Sequence, residues 1–267
     1  MEFKKLGPTD TKVPEIGIGV WRYTGGVEPL RRGIEEGATF IDTAEVYGTE
    51  KVVGEAVKNI RDRVFVATKV SGAHLRYDQV LQAAEGSLRR LNTTCIDLYQ
   101  IHWPNMNIPI RETIRAMETL VDRGLVRYIG VSNFSTSELR AAQAAANKCP
   151  IVANQVLYNL NHREIECELL SYCLSSQVTV IAYTPLDDGR LAKPPKWRSN
   201  QRIRALQTVA VQVQKSPAQV ALNWCIARPN VIAIPKSDRA SRVAENCDAS
   251  GWRLSPAQIQ LLDAAFL

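Results

Sequence analysis

Val126-Arg127-Tyr128-Ile129-Gly130-Val131-Ser132-Asn133-Phe134-Ser135-Thr136-Ser137-Glu138 is the stretch whose reading decides the fold. Its first seven residues carry β-favouring apolar side chains and end on Ser132-Asn133, so Val126–Ser132 is predicted to be a strand that stops at a polar turn. Ser135-x-x-Glu138 is a capping box, which starts a helix by satisfying its first free backbone amides. A helix over Ser137–Ala146 should follow. Upstream, Ile114, Met117, Leu120 and Val121 recur at helical spacing within Arg111–Arg123. Gly124 stands where a left-handed residue ends such a helix.

The same strand-then-helix unit recurs outward in both directions. Further strands are predicted at Ile16–Val20, Thr39–Asp42, Val64–Lys69, Ile96–His102, Val152–Val156, Val178–Tyr183 and Val231–Pro235. Helices are predicted at Glu28–Glu36, closed by Gly37, and at Gln79–Leu91. Ser216-Pro217-Ala218-Gln219 and Ser255-Pro256-Ala257-Gln258 are two more capping boxes, each with proline at the first helical position. An extra helix, Gln201–Gln214, precedes the seventh helix, and Val13–Ile18 is expected to contribute to an N-terminal β-hairpin. Nearly continuous apolar strands alternating with helices imply parallel pairing, buried on both faces. Eight such strands point to an α/β fold of the (β/α)8 TIM-barrel type, although an open doubly wound sheet could absorb the same elements. Residues 1–267 are expected to form one domain, because the only Pro- and Lys-rich stretch, Lys193–Arg198, is short and reads as a surface loop.

Composition narrows the function classes. The chain has 267 residues, 45% of them apolar and 22% charged, within the range of water-soluble globular proteins. Lys and Arg exceed Asp and Glu by 33 to 27, a net charge of +6, and the cations are scattered rather than gathered into a nucleic-acid-binding face. No apolar run approaches the roughly 18 residues of a membrane span. Met1-Glu2-Phe3-Lys4-Lys5 lacks the apolar core of a secretory signal. The six cysteines form no C-x-x-C pair and no zinc-ligand spacing, so they read as reduced core residues of a cytoplasmic protein that needs no metal. No nucleic-acid, membrane or obligate protein partner is expected.

In a barrel of this kind the chemistry gathers at the C-terminal ends of the strands. Those ends carry Trp21, Asp42, Lys69, His102-Trp103, Ser132-Asn133, Gln155, Tyr183 and Lys236-Ser237 in turn. One polar residue ending one strand means little; convergence from every strand is harder to dismiss. Asp42, Tyr47, Lys69 and His102 make a plausible acid–base set. A tyrosine hydroxyl with its ordinary pKa near 10 is a poor acid at neutral pH. A neighbouring lysine cation is expected to lower that value, and Asp42 to hold the lysine charged.

Two other patterns fail. Gly17-x-Gly19 with Asp42 some twenty residues on loosely resembles a dinucleotide-binding fingerprint, but Arg22 stands at the third glycine and a loop precedes the helix. Tyr47-x-x-x-Lys51 spells the catalytic pair of short-chain dehydrogenases, yet Gly48 breaks the helix that pair requires.

Phe40-Ile41-Asp42-Thr43-Ala44-Glu45-Val46-Tyr47-Gly48, Ala67-Thr68-Lys69, Gln100-Ile101-His102-Trp103-Pro104, Gly130-Val131-Ser132-Asn133-Phe134 and Ile234-Pro235-Lys236-Ser237 resemble, in order, the signature segments of the aldo-keto reductases. The resemblance covers nearly the whole chain and implies a (β/α)8 barrel that reduces aldehydes and ketones with NADPH. It implies that Tyr47 is the general acid, tuned by Asp42 and Lys69, with His102 positioning the carbonyl of a small-molecule substrate. Ser132, Asn133 and Gln155 would hold the nicotinamide carboxamide, Tyr183 would stack on its ring, and Pro185 and Leu186 would adjoin the cofactor. Lys236, Ser237 and Arg242 would bind the adenosine 2′-phosphate, with Glu245 and Asn246 at the adenine.

The chain also departs from the pattern. Val20 replaces a common threonine beside Trp21, the Asp187–Leu191 segment is compact, and no tail follows the last helix. A shallow, open cleft walled by Trp21, Tyr47 and Trp103 is therefore expected. The alternatives are a non-catalytic nicotinamide-binding redox sensor and a barrel enzyme of another class, such as an isomerase or lyase.

Overall fold

The computed structural model describes residues 1–193 and 201–267. Beyond Lys193, the predicted Lys193–Arg198 loop lies outside them. The barrel strands are β3 (Ile18–Gly19), β4 (Phe40–Asp42), β5 (Phe65–Val70), β6 (Ile96–Ile101), β7 (Val126–Ser132), β8 (Ile151–Leu157), β9 (Thr179–Tyr183) and β10 (Val231–Ala233). They pair in parallel and in sequence order. A parallel bridge between Ile16 and Ala233 closes the ring, with Gly17 N donating to Ala233 O at 2.8 Å and Gly19 N to Pro235 O at 3.1 Å. This settles the choice between barrel and open sheet.

The first barrel strand is much shorter than its predicted Ile16–Val20, and its glycines show why. A Cβ on Gly19 would lie 2.7 Å from Ile234 O, and one on Gly17 would lie 2.8 Å from Phe40 O. Closure brings backbone so near that no side chain fits, and glycine supports regular strand poorly.

Helices lie between the strands and after the last of them: α1 (Glu28–Glu35), α2 (Glu50–Val57), α3 (Tyr77–Leu91), α4 (Ile110–Asp122), α5 (Thr136–Ala145), α6 (Leu169–Ser175), α7 (Gln201–Val213), α8 (Pro217–Ile226), α9 (Ala240–Cys247) and α10 (Pro256–Ala265). All three expected capping boxes form: Ser135, Ser216 and Ser255 each accept from the amide three residues on. Gly37 and Gly124 adopt the left-handed conformation at φ 91° and 69°. The N-terminal hairpin is β1 (Phe3–Lys5) against β2 (Lys12–Pro14), so Ile18 belongs to the barrel and not, as expected, to the hairpin.

Period-two alternation sorts the strand residues into two cores. Ile41, Val66, Tyr99, Ile129, Val180 and their neighbours face the helices. Phe40, Phe65, Ala67, Leu98, Ile181, Ile232 and Ile234 fill the barrel, joined from below by Leu6 and Val13 of the hairpin segment. On that inward register, two or four residues further along the strands, stand Asp42, Lys69, Gln100, Gln155 and Tyr183. The lower barrel is thus packed with hydrocarbon, and its upper rim is polar. Among the described residues no helix is long and apolar enough to cross a membrane.

Candidate active site

Lys69 is fully buried at the end of β5, where burial would be costly without a partner. Its Nζ donates to Asp42 Oδ2 at 2.6 Å and to Thr43 O at 2.8 Å. Asp42 Oδ1 accepts from Gln155 Nε2 at 2.7 Å and Gln100 Nε2 at 3.3 Å. Four strands therefore contribute to one buried charge network. Sequence reasoning did not single out Gln100, though a polar residue on the inward register of an otherwise apolar strand was a usable signal.

Tyr47 ends a one-turn 3-10 helix, Glu45–Tyr47, between β4 and α2. Gly48 follows in the left-handed conformation at φ 73°, and α2 starts only at Glu50. Tyr47 and the exposed Lys51 consequently share no helix. The turn is anchored by Glu45, whose Oε1 accepts from Ser71 N at 3.0 Å and pairs with His74 Nδ1 at 2.7 Å. Tyr47 Oη lies 3.3 Å from His102 Nε2, and the two rings meet edge to face with centroids 5.4 Å apart. Lys69 Nζ sits 4.9 Å from the centre of the Tyr47 ring. The four expected acid–base residues thus come together at the C-terminal mouth of the barrel.

The electrostatics correct one expectation. Burial, reinforced by the charge of Asp42, pushes the Tyr47 hydroxyl pKa up rather than down. Lys69, hydrogen-bonded to Asp42 and Thr43 and set over the Tyr47 ring, does not reverse that rise. Burial also lowers the Lys69 pKa, against which Asp42 works to keep the ammonium charged. His102 is pushed down to about 4 by burial and by the Lys69 cation, so its imidazole is neutral at physiological pH.

Beside this group lies a ledge of amides and hydroxyls. Asn133, left-handed at φ 63°, donates from Nδ2 to His102 O at 3.0 Å and to Ser132 Oγ at 3.1 Å. Tyr183 Oη donates to Asn133 Oδ1 at 3.0 Å, and Ser132 Oγ donates to Gln155 O at 2.9 Å. Pro185 is buried and Leu186 packs on the core. They belong to a tight turn in which Asn159 Nδ2 donates to Thr184 O at 2.9 Å and Asn161 Nδ2 to Asp187 Oδ2 at 2.9 Å.

Past β10, Lys236 is ion-paired with Asp238, a partner that sequence reasoning overlooked. Ser237 Oγ accepts from Arg239 N at 3.2 Å within its own loop. Arg242 is exposed near the start of α9, with no carboxylate partner among the described residues, and Glu245 and Asn246 lie one turn further on. Trp21 and Trp103 are 45% and 54% exposed. The guanidinium of Arg22 stacks on Trp21 at 4.2 Å.

Comparison with known proteins agrees with this geometry. The family model described as "Aldo/keto reductase family" matches residues 15–266. A methylglyoxal reductase of Escherichia coli is 38% identical over 269 residues, spanning 96% of this chain and 92% of its own. The crystal structure of a thermostable aldo-keto reductase bound to the inhibitor epalrestat superposes with a TM-score of 0.93 at 40% identity, covering 99% of this chain and 100% of that one. A Klebsiella pneumoniae aldo/keto reductase crystallised with NADP and acetate gives 0.89 at 38% identity, over 99% and 95% of the two chains. By sequence, by fold and by the side chains at the barrel mouth, the chain belongs to the aldo-keto reductase family.

Proposed function

We propose that residues 1–267 act as one barrel domain that reduces aldehydes and ketones to alcohols with NADPH, Tyr47 serving as general acid. Small 2-oxoaldehydes are included among the substrates, since a curated relative is a methylglyoxal reductase. The observation that carries the reading is the Tyr47 hydroxyl 3.3 Å from the neutral His102 imidazole, beside the buried Lys69–Asp42 pair.

The residues present fit a nicotinamide nucleotide. Ser132, Asn133 and Gln155 offer hydroxyl and amide groups on adjoining strand ends, the complement of a carboxamide. Gln155 uses its amide N–H on Asp42, which leaves its oxygen as an acceptor. Arg242 and Lys236 offer cations near the amino end of α9, suited to a phosphate. Bound there, NADPH would supply the hydride that reduces the carbonyl carbon.

The chain supplies the rest. A raised pKa keeps Tyr47 protonated at neutral pH, so the proton is always in place. An alkoxide is a stronger base than a phenolate, so the hydroxyl releases its proton only as negative charge develops on the substrate oxygen. His102, being neutral, can orient that oxygen without placing a competing charge beside Lys69. The Lys69 cation, fixed by Asp42, stabilises the charge passed to Tyr47 until solvent returns the proton.

The test follows NADPH absorbance across a panel of aldehydes, ketones and sugars, for the native chain and for Tyr47→Phe. The variant should lose roughly 10²–10⁴-fold in turnover while retaining cofactor binding. Lys51→Met, outside the site, should behave as the native chain. Near-normal turnover by Tyr47→Phe would remove Tyr47 as the acid, and deuterium that fails to pass from ring-deuterated cofactor to product carbon would exclude direct transfer.

A further inference from the structure

Asp238 is the joint between two loops at the barrel mouth. One carboxylate oxygen pairs with the Lys236 ammonium; the other accepts from Thr24 N at 2.8 Å. The two backbones approach so closely that a Cβ on Gly25 would lie 2.8 Å from both Cα and O of Asp238. Partial burial works to raise the carboxyl pKa, but Lys236 and the amides of Thr24 and Gly25 outweigh it, so the group is an anion at neutral pH. It therefore places a fixed negative charge directly on one of the two cations assigned to the adenosine phosphate.

We infer that Asp238 is a specificity-determining residue that trims the preference for NADPH and admits NADH as a second cofactor. This rests on the nicotinamide reading given above. The two nucleotides differ by one phosphate, which carries close to two negative charges at neutral pH. That phosphate must displace the Asp238 carboxylate from Lys236 and then remain near it, a cost that falls on NADPH alone. The ribose hydroxyl of NADH carries no charge, meets no such repulsion and can donate to the same carboxylate. Lys236 thus contributes less discrimination than an unpaired lysine would, and Arg242 carries most of what remains. Asp238 also ties the loop bearing Trp21 to the loop bearing Lys236, so its charge is held in place rather than free to swing into solvent.

The test compares dissociation constants for NADPH and NADH, read from quenching of tryptophan fluorescence. Asp238→Asn keeps an oxygen for the Thr24 amide and removes the charge. The ratio of the NADH constant to the NADPH constant should rise about tenfold, as expected for removing one close, partly screened charge, and the rise should shrink at high salt. Asp238→Ser, which also retains an acceptor, should shift the ratio the same way. Adding Lys236→Met to Asp238→Asn should cancel most of the gain. An unchanged or lower ratio in both Asp238 variants overturns the inference while leaving the nicotinamide reading intact. If neither nucleotide binds the native chain, that reading fails and the inference falls with it.

Discussion

Asp42→Asn isolates the energetic centre of the site, because it removes a charge and almost no volume. In the native chain Lys69 has two acceptors, Asp42 Oδ2 at 2.6 Å and Thr43 O at 2.8 Å, and no exposure to water. The substitution leaves one neutral carbonyl to hold a buried ammonium. Breaking a buried pair from one side typically costs about 3–5 kcal/mol, chiefly the desolvation of the charge left behind. For a chain of this size each kcal/mol moves the melting temperature by roughly 2–4 °C, so a fall of about 6–20 °C at pH 7 is expected.

The pH dependence carries the sharper test. Burial already lowers the Lys69 pKa, and Asp42 restrains that fall. Without Asp42 the folded-state value drops further below the unfolded value of about 10.4. Between the two values the unfolded chain binds more protons than the folded one, so stability rises with pH, by up to ~1.4 kcal/mol per unit. Melting curves of the variant should therefore approach those of the native chain as pH is raised from 7 to about 9.5. Adding Lys69→Met to Asp42→Asn removes the stranded charge and should restore most of the loss, since apolar replacements of buried pairs are often neutral. A variant that melts within about 2 °C of native, or a gap that stays constant with pH, would falsify the account of Lys69 as a charge held by Asp42.

The neutral state of His102 predicts acid sensitivity. Its folded pKa of about 4 lies below the ordinary 6.5, so stability is lost as pH falls through that window, by roughly 3 kcal/mol at most; His102→Gln should flatten acid-melting curves there, and parallel curves would count against a buried neutral imidazole. For Arg242→Ala, NADPH binding should weaken roughly tenfold with NADH nearly unaffected, and the difference should narrow with ionic strength; equal losses for both nucleotides would make Arg242 a support for the fold or the adenine instead.

Much of the molecule is legible in the sequence because its rules are local. A capping box needs only four residues, and Ser135, Ser216 and Ser255 cap as their spacing predicts. A strand's inward register follows from alternation, so placing Asp42, Lys69, His102 and Gln155 at strand ends was enough to predict that they meet. What failed depends on distances between segments far apart in the chain. β3 is short where Gly17 and Gly19 lie against Phe40 and Ile234 once the ring closes, and although the two glycines are visible in the sequence, the backbones they meet are not.

The Tyr47 pKa makes the same point about energetics. Sequence identified a tyrosine, a lysine and an aspartate as neighbours but could not rank burial against charge, and in the structure burial and the Asp42 charge raise the Tyr47 pKa. Lys236 and Asp238 are two residues apart and were both in view. Alternation places such residues on the same side of an extended segment, yet whether they pair depends on what else competes for each. Here Thr24 and Gly25, more than two hundred residues earlier, fix the Asp238 carboxylate where the lysine can reach it. Family motifs therefore locate the groups of this site, while the charge each presents is set by partners the motifs do not contain.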